Sequence, residues 1–244
     1  MNNNWNQQPP RIFDEQVDWA GDVSVSKFVA QVFSWMVAGL TVTAVVAWWV
    51  ASSGWITNLY TPTGMSGLGW IVMLAPLGFI LVMNMGFQRW SAQGLTALFL
   101  AFSGVMGMSL SSIFVVYTGG AITQVFAITA ITFAVMAAIG YTTSTDLTRF
   151  GSLLMMALIG VIVASVVNWF MASAALDYII SIAGVLIFTG LVAYDTQKIK
   201  RIGAGVEYGS ETGSKLAILG ATSLYLDFIN LFLFLLRLFG GRRD

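Results

Sequence analysis

Three stretches without a charged residue, 28–88, 90–145 and 150–176, set the terms on which this chain can fold. A helix that crosses about 30 Å of hydrocarbon needs roughly 20 apolar residues, so each stretch holds at least one span. Composition points the same way. Apolar residues make up 57 % of the 244 and charged residues 9 %, against about 45–50 % and 25 % in soluble domains. A soluble protein so poor in charge would expose large apolar patches and aggregate. A soluble enzyme, a disordered tail, a collagen-like chain and a disulfide scaffold are excluded, and an all-α polytopic membrane protein remains.

Eleven basic and eleven acidic residues cancel, so no net field recruits nucleic acid or an anionic surface. Membrane lipids are the expected surroundings and nucleic acid is not a partner. The chain has no histidine and no cysteine. That removes zinc sites with nitrogen or sulfur ligands, haem attachment, thiol catalysis and every Ser-His or Cys-His dyad. Ionisable chemistry is left to Asp, Glu, Lys, Arg and Tyr, and no resident cofactor is expected.

Cutting the apolar runs at clusters of Gly, Pro, Asn, Ser and Thr gives seven spans, at about 28–51, 68–88, 94–117, 122–142, 152–171, 178–197 and 216–239. The short connections predict antiparallel neighbours in one transmembrane helical domain, 27–244. Residues 1–26, with Asn2–Asn4, Gln7, Gln8, Pro9 and Pro10, lack the basic end and apolar core of a secretory signal and read as a disordered polar arm. Arg11, Lys27, Arg89, Arg149, Lys198, Lys200, Arg201 and Lys215 fall on one side of the membrane, while the loops near 52–67, 118–121 and 172–177 carry no basic residue. The N-terminus is therefore read as cytoplasmic, in a multi-pass plasma-membrane protein. With seven full spans Arg242 and Arg243 lie outside, either as an exception or because the last segment does not cross completely.

Ser103, Gly107 and Ser111 recur every four residues, a stripe that lets another helix backbone approach. Trp48, Trp49, Trp55, Trp70, Trp90 and Trp169 cluster near span ends as interfacial aromatics do. Gly203, Gly205 and Gly209 follow no strand, so they read as a flexible cytoplasmic loop rather than a phosphate loop.

Two acids interrupt or end apolar segments. Asp227 lies in Leu224-Tyr225-Leu226-Asp227-Phe228-Ile229-Asn230-Leu231, about 18 Å of helix beyond Lys215. An isolated ionised Asp at that depth costs at least about 2.5–3.5 kcal/mol, so it faces the bundle interior, takes a proton or finds a partner. Ser223, Asp227 and Asn230 share a helical face that continues to Arg237; that face is either a functional site or a hydrogen-bonded glue between helices. Asp195, in Leu191-Val192-Ala193-Tyr194-Asp195-Thr196-Gln197-Lys198, ends the sixth apolar segment, where it is either solvated or turned toward Asp227. The two meet only if the sixth helix runs on past Gln197 or water penetrates. Two carboxylates in a low-dielectric site share one proton and titrate as a pair. Losing that proton leaves a double negative charge that separates the helices or binds a hard cation such as calcium. Asp195 and Asp227 are thus candidates for pH sensor, cation gate and transient calcium ligands, with Ser223, Asn230 and Arg89 in support; for Arg89 a positive-inside anchor is the plainer reading. Asn84, Ser109, Ser112, Asn168 and Tyr225 are weaker pore-lining candidates.

The segments 194–198 (YDTQK) and 219–240 (LGATSLYLDFINLFLFLLRLFG), supported by 140–147 (GYTTSTDL) and 156–168 (MALIGVIVASVVN), resemble the two closing spans and neighbouring stretches of the Bax inhibitor-1 family, most closely its bacterial members. The resemblance covers roughly 24–243. It implies a seven-transmembrane-helix bundle with the last helix central, located in the bacterial inner membrane. Some bacterial members are pH-sensitive calcium leak channels latched by paired aspartates, which fall on Asp195 and Asp227 here. The family latch also uses an arginine near the end of the second span; Arg89 is the candidate, offset by one position from Gln88. The family's acid within the second span has no counterpart. Eukaryotic relatives are linked to suppression of cell death, and one bacterial branch to a membrane-bound protease.

Three functions compete on these residues. The first is a proton-gated calcium leak pathway through the bundle. The second is a non-conducting regulator that binds a membrane partner, a quality-control protease being the candidate. The third, an intramembrane aspartyl protease of the presenilin type, requires a Gly-x-Gly-Asp element where this chain has Leu224-Tyr225-Leu226-Asp227. The glycines that would admit a substrate backbone are missing, and no enzymatic activity is expected.

Overall fold

The computed structural model describes residues 12–61 and 64–241, with side chains from Val23 onward. Among the described residues, eight α-helices follow in order: α1 (Ile12–Ser52), α2 (Gly67–Met85), α3 (Ala92–Leu110), the single turn α4 (Ile113–Val116), α5 (Gly119–Thr142), α6 (Thr148–Met171), α7 (Ala174–Ala204) and α8 (Glu211–Phe239). A 3-10 turn (Trp55–Asn58) and a small antiparallel ribbon, Tyr60–Thr61 against Gly64–Met65, join α1 to α2. With α3 and α4 taken together, seven segments are long and apolar enough to cross a membrane.

Short polar residues start most of these helices. Ser66, Ser91, Thr118, Ser173 and Ser210 sit at N-caps, and each accepts a hydrogen bond from the backbone N–H three residues on. That satisfies a donor which hydrocarbon would leave bare. At α6 the same work falls to Asp146, which accepts from the Thr148 N–H at 2.9 Å.

The last helix is the axis of the bundle. α8 packs against α1, α3, α5 and α7, and it buries Ala217, Ala221, Leu224, Tyr225, Leu231 and Leu236 around its circumference. Close packing and hydrogen bonds between helices hold it there, because lipid would surround its apolar sides equally well. α6 is the opposite case: it leans on α7 and turns Ile159, Val163 and Val167 outward.

The Ser103–Gly107–Ser111 stripe faces α1. Thr43 of α1 donates to the Ser103 carbonyl at 2.9 Å, and a β-carbon on Gly107 would come within 2.6 Å of the Thr43 carbonyl oxygen. With the Thr43 hydrogen committed there, Tyr225 is the donor in its 2.7 Å contact with Thr43 Oγ1. The Tyr225 ring meets Phe99 and Phe102 edge-on, with centroids 5.9 and 5.3 Å apart. One buried hydroxyl thus ties α1, α3 and α8 together.

Helix boundaries depart furthest from the sequence expectation in the charged segments at the ends of α1 and α7. Residues 1–11 of the polar arm, Arg11 among them, lie outside the described residues, as do Arg242 and Arg243. The rest of the arm, expected to be disordered, continues α1 back to Ile12; no proline interrupts it, and extending a nucleated helix is far easier than starting one. The second departure is α7, which runs past Gln197 to Ala204 and holds Lys198, Lys200 and Arg201 in helix. A search for apolar runs ends a span at its first charges, yet Lys and Arg are good helix formers and suit a helix C-terminus. The connection to α8 shrinks to 205–210. Gly203, expected in a flexible loop, is instead helical and buried, where a β-carbon would stand 2.8 Å from the Phe28 ring.

Candidate functional site

Asp227 lies about 24 Å along the α8 axis from Glu211 and about 18 Å from Phe239. The residue is 5 % exposed, and its Oδ2 has no hydrogen-bond partner. Asp195 lies within α7, beside α8, and both acids line one cavity of about 660 Å³ bounded by α6, α7 and α8. Asp195 is half-buried. Lys198 follows it a turn further along α7. Ser223 and Asn230 line the same cavity, a turn to either side of Asp227; Asn230 Nδ2 donates back to the Leu226 carbonyl at 2.8 Å.

The other walls are mostly apolar. Met155, Ile162, Val166 and Trp169 line the cavity and are also exposed on the outside of the bundle, so it opens sideways between α6 and α8. A second cavity of about 340 Å³, bounded by α2, α7 and α8, includes Asn84 and Lys198. It shares Asp195, Ser223 and Leu226 with the first, so these three form the wall between the two. Lys198 is the one other titratable residue lining either cavity among the described residues.

A hard cation finds some of what it needs here. Calcium takes six to eight oxygens; the cavity supplies the Asp195 and Asp227 carboxylates, the Ser223 hydroxyl and the Asn230 amide oxygen. Among the described residues no cluster of three or more acids adds to them. These groups supply fewer protein oxygens than calcium's six to eight, so water would have to complete the shell of any such ion.

Arg89 stands apart. α2 ends at Met85, short of the expected 88, and Arg89 is exposed in the following turn, lining neither cavity. Of the weaker candidates, Asn84 reaches the second cavity. Ser109 ties α3 to α2 through the Val72 carbonyl at 2.7 Å, Asn168 accepts from the Ser173 N–H at 3.0 Å, Ser112 precedes α4, and Tyr225 is the buried tie described above.

A polar clamp that sequence reasoning missed joins the α5–α6 connection to α7. Buried Gln197 donates to the Thr145 carbonyl at 2.8 Å and accepts from the Leu147 N–H and from Arg201, each at 2.9 Å. Arg201 also pairs with Asp146 at 2.7 Å and donates to Thr148 Oγ1 at 2.9 Å. The Thr148 hydroxyl and N–H, with Arg201, hold the Asp146 carboxyl well below the usual carboxylate range. At the opposite end Arg237 meets Asp177 at 3.2 Å and lies 5.5 Å above the Phe234 ring. The GYTTSTDL and YDTQK stretches hold Thr145, Asp146, Leu147 and Gln197, with Thr148 and Arg201 just beyond them, but nothing along the chain says that they meet.

A family model described as "Inhibitor of apoptosis-promoting Bax1" matches residues 25–244. "Inner membrane protein YbhL" of Escherichia coli is 45 % identical over 88 % of this chain and 92 % of its own length. Uncharacterized proteins of Borreliella burgdorferi and Rickettsia prowazekii are 44 % and 42 % identical, over 90 % and 91 % of this chain and 94 % and 93 % of theirs.

Proposed function

The chain belongs to the Bax inhibitor-1 family, and from that membership and the placement of its two membrane acids we propose a pH-sensitive cation leak channel, with calcium the preferred ion. The observation that carries the reading is Asp227, buried at mid-helix with an unpartnered carboxylate oxygen and facing a cavity that Asp195 also lines. With one proton between them the two side chains latch α7 to α8. Without it, two like charges in a low-dielectric site either push the helices apart or draw in a cation. The shared wall of Asp195, Ser223 and Leu226 is then where the two cavities join when the latch releases. The bacterial inner membrane is the proposed location, by the name of the Escherichia coli relative. The N-terminus is cytoplasmic because the basic residues from Lys27 to Lys215 gather on one side.

Calcium flux into liposomes that hold the purified protein, measured across pH, tests this. The wild type gives flux that varies with pH, and Asp195→Asn and Asp227→Asn each remove that variation. Wild-type vesicles indistinguishable from empty ones at every pH would refute conduction and leave a regulator of a membrane protease as the better account.

A further inference from the structure

The larger cavity offers more than a bare cation can use. Its volume of about 660 Å³ falls in the range of small-molecule sites, about 300–1,000 Å³, and most of its wall is apolar. Two of the polar groups on that wall are engaged already: Ser165 donates to the Val161 carbonyl at 2.7 Å, and Asn230 Nδ2 to the Leu226 carbonyl at 2.8 Å. The Asp227 Oδ2 is buried and without a donor, and the Asp195 carboxylate and the Asn230 amide oxygen line the same cavity as further acceptors. A molecule that fits must bring a cationic donor at one end and a long apolar remainder.

We propose that the cavity between α6, α7 and α8 binds a single-chain amphiphile with a primary ammonium head, which enters sideways from the bilayer between α6 and α8. The head sits on Asp227 and Asp195, and the tail lies along Met155, Ile162 and Val166. An ammonium has three donors and no acceptor, the complement of ionised carboxylates, which only accept. A phosphate or carboxylate head would meet repulsion, and a hydroxyl head would give only the weaker hydrogen bond of an uncharged donor. The tail gains little by leaving lipid for an apolar groove, since the two are equally apolar. Selection therefore rests on the head.

The test uses the full chain in phosphatidylcholine nanodiscs and a dodecylamine carrying a photoreactive diazirine near its tail. The matched diazirine alcohol is the uncharged control. On illumination, the amine labels α6 between Met155 and Val166 saturably, unlabelled dodecylamine competes, and the alcohol leaves only a non-saturable background. Asp227→Asn lowers labelling roughly tenfold or more, as loss of a charge-assisted hydrogen bond does. Ile162→Trp fills the groove from α6 without touching either acid and removes labelling while the protein still unfolds cooperatively on heating. Equal labelling by amine and alcohol, or wild-type labelling of Asp227→Asn, would overturn the proposal and leave a groove filled by ordinary lipid. No ion flux enters the readout, so this inference stands or falls apart from the channel reading.

Discussion

Replacing Asp227 with Leu separates two accounts of the buried acid by the sign of a stability change. If Asp227 only glued helices together, truncating its polar contacts would weaken the bundle. The structure points the other way, because its Oδ2 is enclosed and receives no hydrogen bond. A buried polar group left unsatisfied costs about 1–3 kcal/mol. A leucine removes that cost and faces Leu191, Leu226 and Phe234, with the adjoining cavity of about 660 Å³ to take its extra volume. Above the pH at which the shared proton is lost and the latch no longer contributes, Asp227→Leu is therefore expected to stabilise the fold by about 1–3 kcal/mol. At roughly 2–4 °C per kcal/mol for a chain of this size, the midpoint rises by about 2–12 °C. The nine tryptophans supply the signal for thermal unfolding in micelles, and pH-dependent flux is lost in the same variant. A midpoint lowered by a similar margin would show that the carboxylate makes contacts which hold α8 in place, and the reasoning from an idle buried oxygen to a working one would fail. Groups kept for function are commonly paid for in stability.

Gln197→Ala strips the Leu147 N–H and the Thr145 carbonyl of their partner; hydrogen exchange at 145–148 accelerates and stability falls by about 1–2 kcal/mol. Asp146 is held below the ordinary carboxylate value by Thr148 and Arg201, so its contribution to the clamp is complete above about pH 4 and is lost as pH falls further. Asp146→Asn removes that acid sensitivity, read as amide exchange at Thr148 that no longer changes with pH beyond its intrinsic rate. Gly140→Ala places a β-carbon against the Ala193 backbone, 2.8 Å from its carbonyl carbon. Backbone cannot swing aside as a side-chain tip can, so α5 and α7 separate and the thermal midpoint drops by an amount equivalent to about 1–3 kcal/mol.

Much of this architecture is legible along the chain because hydrocarbon leaves little choice. An uninterrupted apolar run must be helical there, and the seven segments sit close to where the runs do. The exceptions are informative. Residues 198–204 are helical although charged, which a search for apolar stretches cannot see, and that extra length moves Asp195 from the end of its helix into the interior. Asp227 stood out because an acid amid Leu and Phe demands a reason. The clamp of Gln197, Arg201 and Asp146 did not, since each is an ordinary residue for a span end and the signal lies in their meeting. Arg89 shows the converse: a lone basic residue at a span end looks like a counter-ion in sequence, yet three residues of difference in where α2 stops leave it facing outward.

Of the seven spans, the one that follows the others in translation is the one that α1, α3, α5 and α7 all pack against. Until residues 211–239 leave the ribosome, the inner faces of α1, α3, α5 and α7 have no permanent neighbour and must border lipid or one another. Translation at about 5–20 residues per second makes that a wait of many seconds for α1. The nascent protein is thus a ring without a hub. A chain cut short before α8 loses its centre rather than its edge, and so offers cellular quality control an unmistakable, incomplete product.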